Sequence, residues 1–85
     1  MGAYMTMTNL EVGMFSLVDQ HGSTKGFRLK TTPTIDASTK LWQFTFTNGG
    51  EVRIVPLFEE ELMRDANAGM LRDNTKRKID VELAP

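Results

Sequence analysis

The clearest alternation of hydrophobic and polar residues lies in segment 42–55. Asn48, Gly49 and Gly50 interrupt this segment and tolerate the positive φ angles that tight hairpin turns need. Before them, large aromatic residues occupy every second position, which is typical of a strand with one buried face: Trp42, Phe44 and Phe46. The segment therefore predicts a β-hairpin whose aromatic row belongs to the core.

The register of this hairpin depends on the length of its loop. A two-residue loop at 48–49 would place Phe46 opposite Glu51. A three-residue loop places Phe46 opposite Val52 and gathers the large apolar side chains of both strands on one face. We therefore predict the three-residue loop, with Gly50 near the left-handed conformation.

Two further strands are predicted before the hairpin. In segment 8–19, Leu10, Val12 and Met14 alternate with other residues, and a shift of phase beside Gly13 indicates a β-bulge. Segment 27–31 alternates in the same way and is interrupted by the proline that follows it. Polar connections at 19–26 and 36–40 separate these strands.

The chain changes character after the hairpin. Pro56 suits the first position of a helix, and apolar residues then recur every four positions. We expect a firm helix near 57–66 and a looser turn near 69–73. Segment 79–83 alternates again and predicts a final strand.

These elements predict a mainly β fold with one helix (α+β). The order β-β-β-β-α-β favours a small curled antiparallel sheet or a partly open barrel. The length of 85 residues allows one modest core. We expect residues 8–85 to form a single small globular domain after a flexible N-terminus, residues 1–7.

Composition excludes several classes of protein. The net charge of −1 provides no overall attraction to nucleic acid or to an anionic membrane. The absence of cysteine excludes disulfides and thiolate metal sites, and it favours a cytoplasmic location. No run approaches the ~20 apolar residues of a membrane-spanning helix, so we expect no membrane partner.

Groups suited to catalysis are scarce. His21 is the one histidine, and Asp19 and Ser23 lie close to it in sequence. Neighbours in one loop lack the orientation that a catalytic triad requires, and two ligands are too few for a zinc site. No glycine-rich phosphate loop is present. We therefore predict that the protein is not an enzyme and needs no metal or other cofactor.

Nucleic acid is a possible partner because small barrels bind single strands with cations and exposed side chains. The predicted hairpin buries its aromatic row, so such binding would use the polar face of the sheet. The residues that we assign to this alternative are Arg28, Lys30, Gln43, Thr45 and Arg53.

We prefer a non-enzymatic protein-binding module, such as a small adaptor, inhibitor or assembly component of a phage or bacterial accessory kind. Six methionines favour adaptable apolar contacts. The predicted last strand also offers an edge on which a strand of a partner could pair. A second copy of the chain could pair there as well, which would make the protein a subunit of a structural homo-oligomer, such as a homodimer. The predicted contact residues are Met63, Met70, Val81 and Leu83.

Overall fold

The computed structural model describes residues 8–85, in which three helices and one face of a four-stranded antiparallel sheet share a hydrophobic core. The elements follow in the order α1 (Asn9–Ser23), β1 (Arg28–Leu29), β2 (Thr34–Asp36), β3 (Leu41–Asn48), β4 (Glu51–Phe58), α2 (Glu59–Ala68) and α3 (Asp73–Glu82). The fold is α+β, as predicted. The predicted order with a single helix is wrong, and the sheet is not closed into a barrel. The N-terminus that we expected to be flexible, residues 1–7, lies outside the described residues.

The long strand β3 lies at the centre of the sheet. It pairs with β1 near its end and with β2 near its beginning, and β4 pairs along its whole length on the other side. Pro33 lies between β1 and β2, where the sequence predicted an interruption. Helix α1 crosses the inner face of this sheet, and its Phe15 packs edge-on against Trp42 and Phe44.

The predicted hairpin forms, but its predicted register is wrong. Asn48 pairs with Glu51, so Gly49 and Gly50 form a two-residue turn, and Gly49 rather than Gly50 has a positive φ, of 63°. The aromatic row is buried, as predicted. It faces Val55 and Leu57 from β4 rather than Val52 and Ile54. Our register assumed that every apolar residue seeks the core, whereas apolar residues often stay on the surface.

The first predicted strand, 8–19, is helix α1. Thr8 caps it: the Thr8 hydroxyl accepts from the Glu11 N–H at 3.0 Å, and the Glu11 carboxylate accepts from the Thr8 N–H at 2.9 Å. Its buried residues recur with helical spacing at 14, 15, 18 and 22. Val12, which we placed in the strand alternation, is exposed.

The last predicted strand, 79–83, lies mainly in helix α3. Thr75, Ile79 and Leu83 are buried at intervals of four residues, while Val81 faces solvent. Segment 79–83 therefore has no free strand edge, because the helix satisfies its backbone groups internally. Asp73, which we expected to belong to the looser turn near 69–73, begins α3 instead.

The predicted helix near 57–66 is confirmed as α2, two residues further along the chain. Pro56 lies in β4 and not at the start of the helix. This position is compatible with proline because β4 pairs with a strand on one side only. Gly69 ends α2 with a φ of 77°, a left-handed cap that the sequence placed in a loosened turn. No helix within residues 8–85 is long and apolar enough to cross a membrane.

Candidate docking surface

The sheet face turned away from the core, which we call the outer face, is the surface with the most exposed apolar side chains. Directly paired residues of antiparallel strands project on the same side of a sheet. The inner face consists of the buried aromatic row of β3 and the residues of β4 that pair with it. The residues that alternate with these along the two strands therefore form the outer face. On β3 and β4 these are Leu41, Gln43, Thr45, Thr47, Val52, Ile54, Pro56 and Phe58. None of the eight carries a charge.

Strand β4 gives the outer face a continuous hydrophobic row, which we call the apolar strip: Val52, Ile54, Pro56 and Phe58. Val52 is 48 % exposed, Ile54 51 % and Phe58 49 %. The middle strand contributes the polar side chains Gln43, Thr45 and Thr47 beside it. The outer face is therefore apolar along one strand and polar along the next.

Helix α3 runs beside β4 and forms a groove with the end of the apolar strip. Leu41, Pro56 and Phe58 line the groove from the sheet, and Asn74, Arg77, Lys78, Val81 and Glu82 line it from α3. Its volume is about 610 Å³. Val81 of α3 is 68 % exposed there, so both the helix side and the sheet side of the groove have an apolar surface.

Cations lie along the α3 side of the groove. The Lys78 ammonium lies 5.5 Å from the centre of the Phe58 ring and 2.7 Å from a carboxylate oxygen of Glu61. Arg77 forms no ion pair within residues 8–85, and neither does Glu82. The groove thus combines an apolar lining with one paired cation, one unpaired cation and one unpaired carboxylate.

Four of the five residues predicted for nucleic-acid binding lie on the outer face. Arg28 pairs with Thr47, and the Lys30 N–H donates to the Thr45 carbonyl at 2.8 Å, so Arg28 lies beside Thr47 and Lys30 beside Thr45. Arg28 and Lys30 are exposed.

The fifth residue, Arg53, lies on the inner face opposite Phe46, because the hairpin register differs from the predicted one. Its guanidinium donates to the carbonyls of Glu82 at 2.8 Å and Ala84 at 2.7 Å, and it stacks 5.5 Å from the centre of the Phe27 ring. Glu51 accepts two further bonds from it. Arg53 therefore attaches the end of the chain to the hairpin and is separated from the other four residues.

The four residues predicted for protein binding are not together. Val81 lines the groove, but Leu83 is 2 % exposed and belongs to the core. Met63 and Met70 are exposed. Met70 borders a different depression, beside α1. Only Val81 of this set joins the candidate surface.

Sequence reasoning missed the apolar strip itself. Val52, Ile54 and Phe58 were assigned to the core or to the stripe of the following helix. Adjacent glycines at 49 and 50 are a signal for a two-residue turn, and Pro56 is compatible with an edge strand. Together these signals favour the observed register.

The ionisable groups at the opposite side of the molecule have structural partners. His21 Nε2 lies 2.7 Å from Asp80 Oδ1, and Lys25 Nζ lies 3.6 Å from the same oxygen. Burial raises the pKa of Asp80, but the hydrogen bond from His21 and the positive charges of His21 and Lys25 outweigh it and hold the pKa below its ordinary value. His21 thus joins α1 to α3 and lies in a helix, not in the polar connection that we expected at 19–26.

Within residues 8–85, no group of three or more His, Asp or Glu side chains lies close enough to hold a metal ion. The comparisons with known proteins add no assignment: no protein-family model and no curated protein matches the sequence, and no solved structure matches the fold.

Proposed function

We propose that this protein is a non-enzymatic protein-binding module that docks a partner protein on its outer face. The observation that carries the proposal is the apolar strip, in which Val52, Ile54 and Phe58 are each about half exposed in one row. Single exposed apolar residues are ordinary, but a contiguous row bordered by polar residues is characteristic of an interaction site.

The strip offers enough hydrophobic surface to contribute to binding. Burying a whole Val, Ile or Phe side chain stabilises by roughly 1.5–3 kcal/mol, so covering the exposed halves adds about 1 kcal/mol for each residue. The uncharged composition of the outer face on β3 and β4 also agrees with the depletion of charge at the centres of protein interfaces.

Helix α3 affects the mode of docking. It lies against β4, and the C-terminal carbonyls that follow it accept hydrogen bonds from Arg53 of that strand. Helices placed beside an edge strand protect it from pairing with other chains. We therefore infer that a partner contacts the side chains of the outer face and does not extend the sheet.

The absence of cysteine from the natural sequence permits a position-specific test. A cysteine replacing Ile54 carries a benzophenone crosslinker into the strip, and a cysteine replacing the exposed Ser16 of α1 is the matched control. After irradiation in a lysate of the organism that encodes the chain, we expect one specific protein adduct from position 54 and none from position 16. Identical adducts from both positions, or none from either, would contradict the proposal.

A band at twice the chain mass of 9.6 kDa from position 54 would instead identify a homo-oligomer that assembles through this face. That result would replace a separate partner protein by a second copy of the chain. Light scattering of the unmodified protein provides an independent measurement of the same state.

A second function, binding of single-stranded nucleic acid, is supported by the placement of Arg28 and Lys30 on the outer face, beside Thr47 and Thr45. The burial of the aromatic row disfavours it, because base stacking needs exposed rings. Binding of an oligothymidine that weakens steeply with salt, and that is lost in Lys30→Glu, would favour this function. Arg53→Glu is unsuitable for the test because it disrupts the attachment of the C-terminus.

A further inference from the structure

Charges of both signs border the outer face and its groove, and they balance. The cations directed to this face or its groove are Arg28, Lys30, Arg77 and Lys78. The carboxylates that share the face or pair with these cations are Asp19, Asp36, Glu61 and Glu82. A face with charge of one sign repels a second copy of itself, whereas a balanced face can pair with its copy if unlike charges meet.

The outer face has a centre about which its charged rim is arranged. Phe44 and Val55 pair at the middle of the hairpin, so the outer residues of β3 and β4 extend equally far on both sides of this pair. Strand β1 borders one half of β3 and β2 borders the other. Arg28 therefore lies beside one end of β3, at Thr47, and Asp36 lies beside the opposite end, at Leu41.

A two-fold axis that is parallel to the sheet and perpendicular to its strands brings these unlike charges together. Such an axis, lying between two copies, stacks β3 and β4 on the same strands of the second copy in the opposite direction. Arg28 then lies over Asp36 of the second copy, and Val52 lies over Phe58 of the second copy. The two apolar strips cover each other along their whole length.

Helix α3 follows the same symmetry. It begins near Phe58, where the Lys78 ammonium lies 5.5 Å from the ring centre, and it ends near Arg53, which binds the Glu82 carbonyl. The axis therefore stacks α3 antiparallel to α3 of the second copy, so that Arg77 approaches Glu82 across the axis. Neither of these two side chains forms an ion pair within residues 8–85.

A two-fold axis parallel to the strands lacks this complementarity. It places α3 over β3 of the second copy, and the outer residues of β3 carry no charge. Arg77 and Glu82 would then lose contact with water and gain no ionic partner, which costs free energy. The charges therefore favour the axis perpendicular to the strands.

The outer face is also large enough for a dimer. The eight residues of β4 span about 27 Å at ~3.4 Å per residue. The rows of β4, β3 and the β1–β2 edge, with α3 beside them, span roughly 24 Å in the other direction. Two such faces bury about 1,300 Å² between them, at the lower end of the roughly 1,200–2,000 Å² of specific interfaces.

We propose that the partner of the outer face is a second copy of this chain, packed face to face as a two-fold symmetric β-sandwich with Arg77 of each copy against Glu82 of the other. This inference rests on the proposed protein-binding function and names the partner. Its expected product from the crosslinker at position 54 is the adduct of twice the chain mass. Each contact occurs twice in such an interface, because the two copies use the same surface.

Sedimentation equilibrium between about 1 and 300 µM measures the association, since an interface of this size has a dissociation constant in the micromolar range or below. We expect the mass to rise from one chain to two. Arg77→Glu or Glu82→Arg alone brings like charges together in both symmetric contacts and should weaken dimerisation about tenfold. The double variant restores unlike charges and should recover most of the lost affinity.

Arg64→Glu is the matched control, because Arg64 is an exposed cation of α2 that does not line the groove. It should leave dimerisation unchanged. Circular dichroism establishes that all variants keep their helices.

A chain that stays monomeric over this range, a double variant as weak as either single variant, or equal effects of Arg77→Glu and Arg64→Glu would overturn the inference. The proposed function has a separate readout. If the chain is monomeric while the crosslinker at position 54 captures a different protein, the proposed function stands and only the second copy as partner is wrong.

Discussion

Gly22 sets the distance between α1 and the sheet. It is buried in the last turn of α1, directly above the ring of Phe46. A Cβ atom added at this position would lie 2.3 Å from a ring carbon of Phe46, whose side chain is completely buried. A ring that is enclosed by protein moves only by displacing its neighbours, so the close approach of helix and strand favours glycine at this position.

We expect Gly22→Ala to lower the free energy of unfolding by about 1–3 kcal/mol, because the added methyl overpacks the core. Urea unfolding monitored by Trp42 fluorescence measures this change.

Gly13→Ala is the matched control in the same helix. A Cβ at position 13 would lie 3.9 Å from the Ala66 methyl, which is ordinary contact. Alanine is the better helix former by about 1 kcal/mol, so this substitution should stabilise the protein. Equal effects of the two substitutions would refute the proposed role of Gly22.

The burial of individual residues could be predicted from the sequence only where large side chains recur at every second position. The burial of Trp42, Phe44 and Phe46 was predicted from their alternation and is confirmed. The inward orientation of Arg53 follows from the two-residue turn, but its hydrogen bonds to the carbonyls of Glu82 and Ala84 were not predictable, because these lie far away in sequence.

The start of α3 is held by a residue of another helix. Asp65 of α2 is buried, and its Oδ2 accepts hydrogen bonds from the Thr75 hydroxyl and, at 3.3 Å, from the Arg72 N–H. Arg72 precedes the helix and makes no side-chain cap of its own. The carboxylate of Asp65 therefore satisfies the N–H of Arg72, the N-cap residue, and holds the first turn of α3 through the Thr75 hydroxyl.

Replacing Asp65 by Leu should lower the free energy of unfolding by about 1–3 kcal/mol, because the Thr75 hydroxyl and the Arg72 N–H lose their acceptor inside the protein. Asp65→Asn is the control of similar size that retains an acceptor, and it should cost less. Urea unfolding followed by circular dichroism measures both variants. If Leu is tolerated as well as Asn, the capping role of Asp65 is wrong.

The two misassigned strands differ in what their sequences reveal. For α1, the Thr8–Glu11 capping box was present in the sequence and should have favoured a helix over a bulged strand. For α3, the alternation of Ile79, Val81 and Leu83 agrees with a strand, and the residue that caps the helix lies in α2. The local sequence was therefore sufficient to identify α1 as a helix, but it was insufficient to identify α3.

Across the whole molecule, Asp80 connects the first helix to the last through His21. Its pKa and that of Asp36 lie below the ordinary value of 3.8. For Asp36 the cause is the hydrogen bonds from the Ser38 hydroxyl and from the N–H groups of Ser38 and Thr39. The folded state thus holds protons on both carboxylates less tightly than the unfolded chain does.

Both carboxylates therefore stabilise the fold fully above the unfolded pKa, near 3.8, and this stabilisation is lost as the pH falls through the lowered folded values. We expect the urea midpoint to decrease as the pH falls below about 4. Asp80→Asn should make the midpoint less dependent on pH in that range.

Glu82→Gln is the control for this experiment. Its carboxylate makes no hydrogen bond or ion pair within residues 8–85, so the substitution should leave the pH dependence close to that of the natural chain. A pH dependence that changes equally in Asp80→Asn and Glu82→Gln would contradict the role of the His21–Asp80 contact.

The sequence by itself determined the hairpin, the burial of its aromatic row, the helix after it and the α+β class. These features depend on the period of neighbouring residues and on turn residues between them, which act over a few positions. Tertiary structure alone decided the acceptor for the start of α3 and the carbonyl groups that bind Arg53. It also decided which face of β4 remained exposed, because α1 and α2 cover only one side of the sheet. Sequence reasoning therefore did not identify the candidate docking surface, because its apolar residues were assigned to the core and lie outside it.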